Sequence, residues 1–218
     1  MNLPLLGVLL AGGENRRYGS HKALARVGGR SILDRGLASL AGVTERIGIV
    51  ANDPAPYGPA GRPVRPDLRP GTGVLGGLLT AVEWAGDEGC EAAVVLACDM
   101  PFVPGGLLRR LAEEADPATV SVPASPGPRG LEPLCGVYGT RTAAAIAAAL
   151  DRGDRAVISF FDAVEVRILA LDEVHRFGAP ERMFWNVNRP EDRATAEAWA
   201  VPPAAGDPTD SQREDEDA

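Results

Sequence analysis

Short apolar runs recur along the chain and predict β-strands. These runs are rich in Val, Ile, Leu and Ala and do not alternate strictly with polar residues, which is typical of strands buried on both faces of a sheet. The predicted strands cover residues 5–10, 46–51, 92–97, 119–124, 133–139 and 164–170.

Longer amphipathic stretches between these runs predict α-helices. Ser31 and Thr140 are typical N-caps, and Pro104 and Pro190 are typical of a first helical turn. The predicted helices cover residues 31–41, about 74–86, 104–115, 140–151 and 190–200. Strands and helices share the chain from end to end, which predicts an α/β fold: a single Rossmann-like domain of three layers with a mostly parallel central sheet.

Two segments lack this pattern. Residues 53–73 are rich in Pro and Gly and are predicted to form a long loop, and loops of that length commonly line a site. Residues 201–218 consist mainly of Pro, Ala and acids, which cannot bury enough apolar surface to fold. We therefore predict a domain over residues 1–200 and a disordered tail over 201–218.

The amino-acid composition of the chain limits which molecules it is expected to bind. The 218-residue chain has a formal net charge of −8, but five of these charges come from residues 206–218, and the arginines elsewhere are scattered. We therefore expect no nucleic acid as a partner.

The cysteines and the N-terminus bear on the cellular compartment. Three cysteines without C-x-x-C spacing favour neither a disulfide framework nor a zinc site, and they fit a reducing cytoplasm. No run approaches about 18 apolar residues and the apolar N-terminus has no basic region, so we expect neither a membrane span nor a signal peptide.

The stretch "LLAGGENRRYGSHKAL", residues 9–24, holds the only lysine of the chain, Lys22, whereas the other 21 basic residues are arginines. Gly12 and Gly13 follow the first strand, where backbone N–H groups without a neighbouring Cβ can converge on an anion. Ligands of open α/β sheets bind at this edge. The segment therefore predicts a phosphate-binding loop, with an ordinary strand-to-helix turn as the alternative.

Positive charge near these glycines supports the same interpretation. Arg17 and Lys22 follow them, but the spacing of the glycines does not fit a P-loop. The compact lysine ammonium can follow a phosphate as its charge moves, whereas the arginine fork suits fixed bidentate pairing. The alternative to a functional role is that Lys22 is one lysine retained by chance in a chain that otherwise uses arginine.

Asp99 ends the buried run of "AAVVLACDMPFVP" and should therefore lie at the same edge as the glycine loop. A carboxylate that faces phosphates is best explained by a divalent metal that bridges it to them. The alternative is that Asp99 caps the next helix. Asn186 and Asn188, in "FWNVNRPED", are a weaker signal, because Asn before Pro-Glu-Asp is also an ordinary turn into a helix.

The segment "GTGVLG", residues 71–76, matches the dinucleotide-binding pattern G-x-G-x-x-G. The preceding "GRPVRPDLRP" contains prolines and lacks the apolar run of a buried first strand, which argues against a dinucleotide fold. We interpret these glycines as a loop that passes close to a nucleotide and enters the helix at residue 74.

Taken in order, five blocks resemble the molybdenum cofactor guanylyltransferase family. They are "LLAGGENRRYGSHKALARVGGRSIL", "RPDLRPGTGVLGGL", "VVLACDMPFVP", "EPLCGVY" and "FWNVNRPED". The resemblance implies a Rossmann-like nucleotidyltransferase fold, binding of GTP with Mg²⁺, and transfer of GMP to the terminal phosphate of molybdopterin with release of pyrophosphate. It also implies transient contact with molybdenum-insertion and target molybdoenzymes.

The resemblance assigns roles residue by residue. Leu10, Ala11 and Gly12 match backbone contacts to the nucleotide, Lys22 its phosphates, Asn52 and Asp67 the nucleoside, Asp99 the Mg²⁺ ligand, and Asn186 and Asn188 the surroundings of the metal or the pterin phosphate. For the reaction itself, we expect Lys22, Arg17 and the Gly12 and Gly13 amides to hold the pyrophosphate as negative charge builds on it. Three positions depart from the family pattern: Tyr18 replaces Met, His21 replaces Asp and Val74 replaces Pro. These departures concern the choice of base and the contacts to the pterin rather than catalysis.

Three alternative functions remain. They are cytidylyl transfer to molybdopterin, the activity of another sugar- or alcohol-phosphate nucleotidyltransferase, and non-catalytic regulation by nucleotide binding.

Overall fold

The computed structural model describes residues 3–12 and 22–200, with Lys22 described by its backbone alone. Gly13 and Arg17, predicted to bind phosphate, and the predicted tail 201–218 lie outside these ranges. The described residues form the strands β1 (Leu5–Leu10), β2 (Arg26–Val27), β3 (Arg30–Ser31), β4 (Ile47–Val50), β5 (Val64–Arg65), β6 (Ala92–Ala97), β7 (Thr119–Pro123), β8 (Cys135–Gly139) and β9 (Glu165–Leu169).

The α-helices are α1 (Ile32–Ala41), α2 (Val74–Asp87), α3 (Gly105–Ala112), α4 (Ala143–Asp151), α5 (Leu171–Val174), α6 (Pro180–Met183) and α7 (Pro190–Ala200). Short 3-10 helices cover Lys22–Leu24, Ala55–Ala60, Thr140–Thr142, Phe161–Ala163 and His175–Phe177.

A mostly parallel sheet with strand order β5-β4-β1-β6-β8-β7-β9 forms the centre of the fold. β1 lies parallel to both β4 and β6, β5 parallel to β4, and β9 parallel to β7. β8 is antiparallel to its two neighbours, and β2 and β3 form a separate antiparallel hairpin. This topology confirms the predicted α/β class.

Helices cover both faces of the sheet and bury two apolar cores. Leu9 faces one core with residues of α1 and α3, whereas Val8 and Leu10 face the other with residues of α2 and α4. All six residues of β6 are buried. A strand covered on both faces needs apolar residues at successive positions, which is why β1 and β6 read as unbroken apolar runs.

Most predicted boundaries agree with the structure to within two residues, and two do not. The N-cap of α1 is confirmed, because the Asp34 amide donates to Ser31 Oγ at 3.0 Å. The N-cap predicted at Thr140 is wrong: a 3-10 turn comes first and α4 begins at Ala143, since Thr142 Oγ1 donates back to the Gly139 carbonyl instead of receiving an amide. The helix predicted to reach residue 115 ends at Ala112.

The segments predicted to be irregular contain short elements. Residues 53–73 include the 3-10 helix Ala55–Ala60 and the two-residue edge strand β5, and the β2–β3 hairpin precedes α1. These elements are too short to show a periodic pattern. β5 forms by pairing with β4, whereas the β2–β3 hairpin is closed by the two-residue turn Gly28–Gly29, in which both φ angles are positive. Within the part of the chain that the structure describes, no helix is both long and apolar enough to cross a membrane.

Gly48 on β4 offers a test of the packing between the sheet and α2. A Cβ at this position would overlap the ring of Trp84, which is buried, donates from Nε1 to Glu88 Oε1 at 3.2 Å and has Arg65 stacked at 4.7 Å. Because this ring cannot move aside, we expect Gly48→Ala to lower the free energy of unfolding by about 1–3 kcal/mol in urea titration.

The matched control is Gly86→Ala, on the exposed face of α2, where a Cβ would meet Thr140 at an ordinary 3.9 Å. This substitution should be neutral or stabilise by up to about 1 kcal/mol, because alanine favours the helix. Equal stability of the two variants would contradict the packing described.

Candidate functional site

The candidate site lies where the chain changes direction within the sheet. From β1 the chain builds β4 and β5 on one side, and α2 then carries it back to β6 on the other side. The Cys98 amide donates to the Leu10 carbonyl at 2.9 Å, so the ends of β1 and β6 remain paired beyond the strands. Ligands of open α/β sheets bind at such a switch point.

Ala11 is fixed on both sides where β1 ends. Its amide donates to the Val50 carbonyl at 3.0 Å, and its carbonyl accepts from Tyr57 Oη at 3.0 Å. Burial, together with the Cys98 thiol and the Asp53 carboxylate, raises the pKa of Tyr57 to about 12. The phenol therefore stays protonated and anchors the segment after β4 to the start of the glycine loop.

Asn52 and Asp67 form a reciprocal pair beside β1. Asn52 Nδ2 donates to Asp67 Oδ2 at 2.9 Å, and the Asp67 amide donates to Asn52 Oδ1 at 2.9 Å. The pair joins the segments that follow β4 and β5. It also lies against the first turns of α2, since a Cβ on Gly77 would meet Asp67 Oδ1 at 3.4 Å.

The glycines of residues 71–76 act at the start of α2. Gly71 and Gly73 have φ of 77° and 71°, which L side chains rarely adopt, and Gly73 is the N-cap residue of the helix. The strand that precedes them is the two-residue edge strand β5 rather than a central strand. The interpretation of these glycines as a loop that enters a helix is therefore confirmed.

Asp99 lies at the end of β6, partly exposed. Its carbonyl accepts from the Val187 amide at 2.9 Å, which places the segment of Asn186 and Asn188 beside it. Helix α3 begins at Gly105 with Pro104 at the N-cap position, so Asp99 is not its N-cap residue.

Asn186 and Asn188 are held differently. Asn186 Nδ2 donates to the Phe184 carbonyl at 3.1 Å. The Asn188 amide donates to Asp192 Oδ2 at 2.8 Å, as does the Arg189 amide, so Asp192 caps the entrance to α7. Asn188 is exposed and Asn186 partly buried.

Glu132, the first residue of "EPLCGVY", also lies at the site and was not predicted from the sequence. Because β8 runs antiparallel to β6, the segment before β8 lies at the same edge as Asp99, and the Ala97 amide donates to the Leu134 carbonyl at 2.8 Å. Burial raises the pKa of Glu132, and Asp99 raises it further, while the Leu134 amide and Arg129 oppose the shift. An acid before an antiparallel strand gives no signal until that strand's direction is known.

The sites predicted on β1, β4, β5 and β6 thus meet at one edge, with the α7 entrance beside Asp99. The side chain of Lys22 lies outside the described atoms, as do Gly13 and Arg17.

Comparison with known proteins agrees with this geometry. Residues 7–167 match the family model described as the MobA-like NTP transferase domain. A protein of Cereibacter sphaeroides named molybdenum cofactor guanylyltransferase is 38% identical over 197 residues, which cover 89% of this chain and 96% of that protein. The chain belongs to the MobA-like NTP transferase family. It is a nucleotidyltransferase.

Solved structures share the fold of this family member. Molybdopterin-guanine dinucleotide biosynthesis protein A of Archaeoglobus fulgidus superposes with a TM-score of 0.73 at 23% identity, over 89% of this chain and 97% of that one. Rv0371c of Mycobacterium tuberculosis H37Rv, in a complex with manganese, gives 0.63 at 16% identity, over 91% and 100%. At these sequence identities, the superpositions show a shared fold only.

The environment of Glu132 predicts a pH dependence of stability. A carboxyl group whose pKa is raised in the folded state stabilises the fold below its unfolded pKa of about 4.5, and this contribution is lost as the pH rises through the folded value. Glu132→Gln removes the titration and keeps an oxygen for the Leu134 amide, which lies 3.3 Å from Glu132 Oε1. In urea titrations without magnesium, the variant should gain stability relative to wild type as the pH rises from 4.5.

The control for this prediction is Glu45→Gln, which removes an exposed carboxylate outside the site. Its stability relative to wild type should change less with pH. A stability difference between Glu132→Gln and wild type that is the same at every pH would contradict the assignment.

Proposed function

We propose that the chain transfers GMP from GTP to the terminal phosphate of molybdopterin and releases pyrophosphate, with Mg²⁺ as cofactor. The observation that carries this proposal is that the chain up to Gly12, the Asn52–Asp67 pair and Asp99 lie at one switch point of the sheet. The choice of guanine and of molybdopterin is supported by relatives named molybdenum cofactor guanylyltransferase.

The nucleoside would lie over Asn52 and Asp67. Their mutual hydrogen bonds hold both side chains in place before a ligand arrives, which lowers the entropy lost on binding. Because the Ala11 amide is committed to β4, we assign backbone donation to the nucleotide to the positions from Gly12 onward. Leu10 and Ala11 would then position the backbone so that Gly12 can contact the nucleotide.

The residues at the site fit Mg²⁺ as the metal. No group of three His, Cys, Asp or Glu side chains that could hold a metal lies within residues 3–12 and 23–200. Mg²⁺ does not need such a cage, since it is commonly bound by one or two carboxylates together with phosphate oxygens and water. Asp99 would be the carboxylate, with Asn186 and Asn188 near the metal or the pterin phosphate.

The chemistry is displacement at the α-phosphate of GTP by an oxygen of the molybdopterin phosphate. The new P–O bond forms as the bond to the leaving pyrophosphate breaks, and no general base is required because the attacking phosphate is already ionised. Lys22, Arg17 and the Gly12 and Gly13 amides would stabilise the negative charge that grows on the pyrophosphate. Mg²⁺, when bound, supplies neutralisation of phosphate charge.

The experiment that tests this function supplies each of the four nucleoside triphosphates with molybdopterin and Mg²⁺ and measures pyrophosphate. We expect release with GTP. Release with CTP alone would replace the proposal by cytidylyl transfer, and binding without release would favour a non-catalytic regulator.

Asp99→Asn tests the proposed metal ligand in the same assay. The variant should fold normally and lose several orders of magnitude in turnover, because each ~1.4 kcal/mol of lost charge stabilisation lowers the rate tenfold.

The single lysine gives a sharper test. If its point charge must follow charge from the bound triphosphate onto the leaving pyrophosphate, arginine cannot replace it. We expect Lys22→Arg to keep GTP affinity within a few fold and to lose much of kcat. GTP should be varied at saturating Mg²⁺, with Lys22→Ala measured in parallel. An arginine variant with wild-type kcat would contradict the role assigned to Lys22.

A further inference from the structure

Helix α7 contacts the hairpin that follows Lys22. Glu197 Oε2 accepts the Gly28 amide at 3.0 Å, and Arg193 Nε donates to the Arg26 carbonyl at 3.1 Å. These bonds join residues 169 and 167 positions apart in sequence. Gly28 has φ of 58°, so the turn that receives Glu197 is one that L side chains rarely adopt.

Helix α1 holds the same hairpin from the other side. Arg35 Nε and Nη2 donate to the Val27 carbonyl at 2.9 and 2.6 Å, and the Ile32 amide donates to the Ala25 carbonyl at 2.9 Å. Burial and Arg30 lower the pKa of Arg35, and the Glu197 carboxylate partly offsets this. Ala23, next to Lys22, is buried in the core. The hairpin that follows Lys22 is therefore held between α1 and α7.

The same α7 also contacts the loop of Asp99. The Val187 amide that precedes the helix bonds to the Asp99 carbonyl. Trp199, on the last turn, packs edge-on against Phe102 with ring centroids 6.0 Å apart, and its carbonyl accepts from Arg182 Nη2 at 2.7 Å. One helix thus bonds the segment after Lys22 and flanks the segment after Asp99, which lie 77 residues apart along the chain.

We propose that α7 is a brace that sets the distance between Lys22 and Asp99, with Glu197 and Arg193 as positioning residues that act through Lys22. The proposal rests on the catalytic roles proposed above for Lys22 and Asp99. Arg193, Glu197 and Trp199 belong to one helix, so a single rigid element contacts both the hairpin and Phe102. Misplacing a reacting group by about 1 Å can cost on the order of a hundredfold in rate.

The first test compares three variants on α7. Glu197→Ala removes the acceptor of the Gly28 amide, and we expect kcat to fall about tenfold with little change in KM for GTP, since Lys22 acts mainly on the departing pyrophosphate. Glu197→Gln keeps an oxygen acceptor and should restore most of the rate. Glu191→Ala, which removes an exposed carboxylate of the same helix, should leave kcat near wild type.

The decisive measurement combines Glu197→Ala with Lys22→Ala. If Glu197 acts through the lysine, its removal should have almost no further effect on kcat once the lysine is gone. Additive losses, or equal losses for Glu197→Ala and Glu197→Gln, would overturn the proposal and leave Glu197 a general stabilising residue. Thermal unfolding of each variant separates loss of folded protein from loss of rate.

A binding measurement keeps this test separate from the choice of substrate. Pyrophosphate with Mg²⁺ is the probe, titrated by calorimetry into wild type and the same variants, because every nucleotidyl transfer releases it. Glu197→Ala should weaken pyrophosphate binding about fivefold to tenfold in the wild-type background and not in the Lys22→Ala background. A protein that does not use GTP would refute the proposed substrate, and this cycle would still decide whether α7 positions the lysine.

Discussion

The parallel pairing of β1 with β6 is the constraint on which the candidate site depends. The register runs from Leu5 opposite Ala92 to Leu10 opposite Ala97, and the Cys98 amide extends it by one more bond. Because parallel strands end at the same edge, this pairing brings Gly12 and Asp99 to one edge of the sheet although they lie far apart along the chain. Both strands are buried on both faces, so their backbone N–H and C=O groups depend on this pairing for hydrogen bonds.

Polar groups at that edge are held by the protein before any ligand binds. Tyr57 fixes the Ala11 carbonyl, Asn52 and Asp67 fix each other, and the Asp99 carbonyl is bonded to the Val187 amide. A nucleotidyltransferase performs little covalent chemistry of its own and gains rate by positioning charged groups. Rigid backbone anchors at each strand end are consistent with that requirement.

Charge is unevenly distributed at the same edge. Glu132 and Asp99 are two acids near one another, and burial raises the pKa of Glu132. The Asp99 carboxylate adds to this rise in the pKa of Glu132, because a nearby negative charge disfavours ionisation of a carboxyl group. The basic residues proposed to face the phosphates, Arg17 and Lys22, follow β1 in the sequence. We propose that the nucleotide phosphates bind between these residues and the two acids.

The sequence by itself determined the strands and helices with long apolar patterns, because buried parallel strands and amphipathic helices each leave a periodic signal. It also determined the ends of β1 and β6, where Gly12 and Asp99 interrupt apolar runs. Only the tertiary structure decided the rest. β5 forms by pairing with β4, Glu132 reaches the site because β8 runs antiparallel, and Glu197 bonds to Gly28 across 169 positions. Contacts between distant segments have no local signature, because they depend on how whole elements pack.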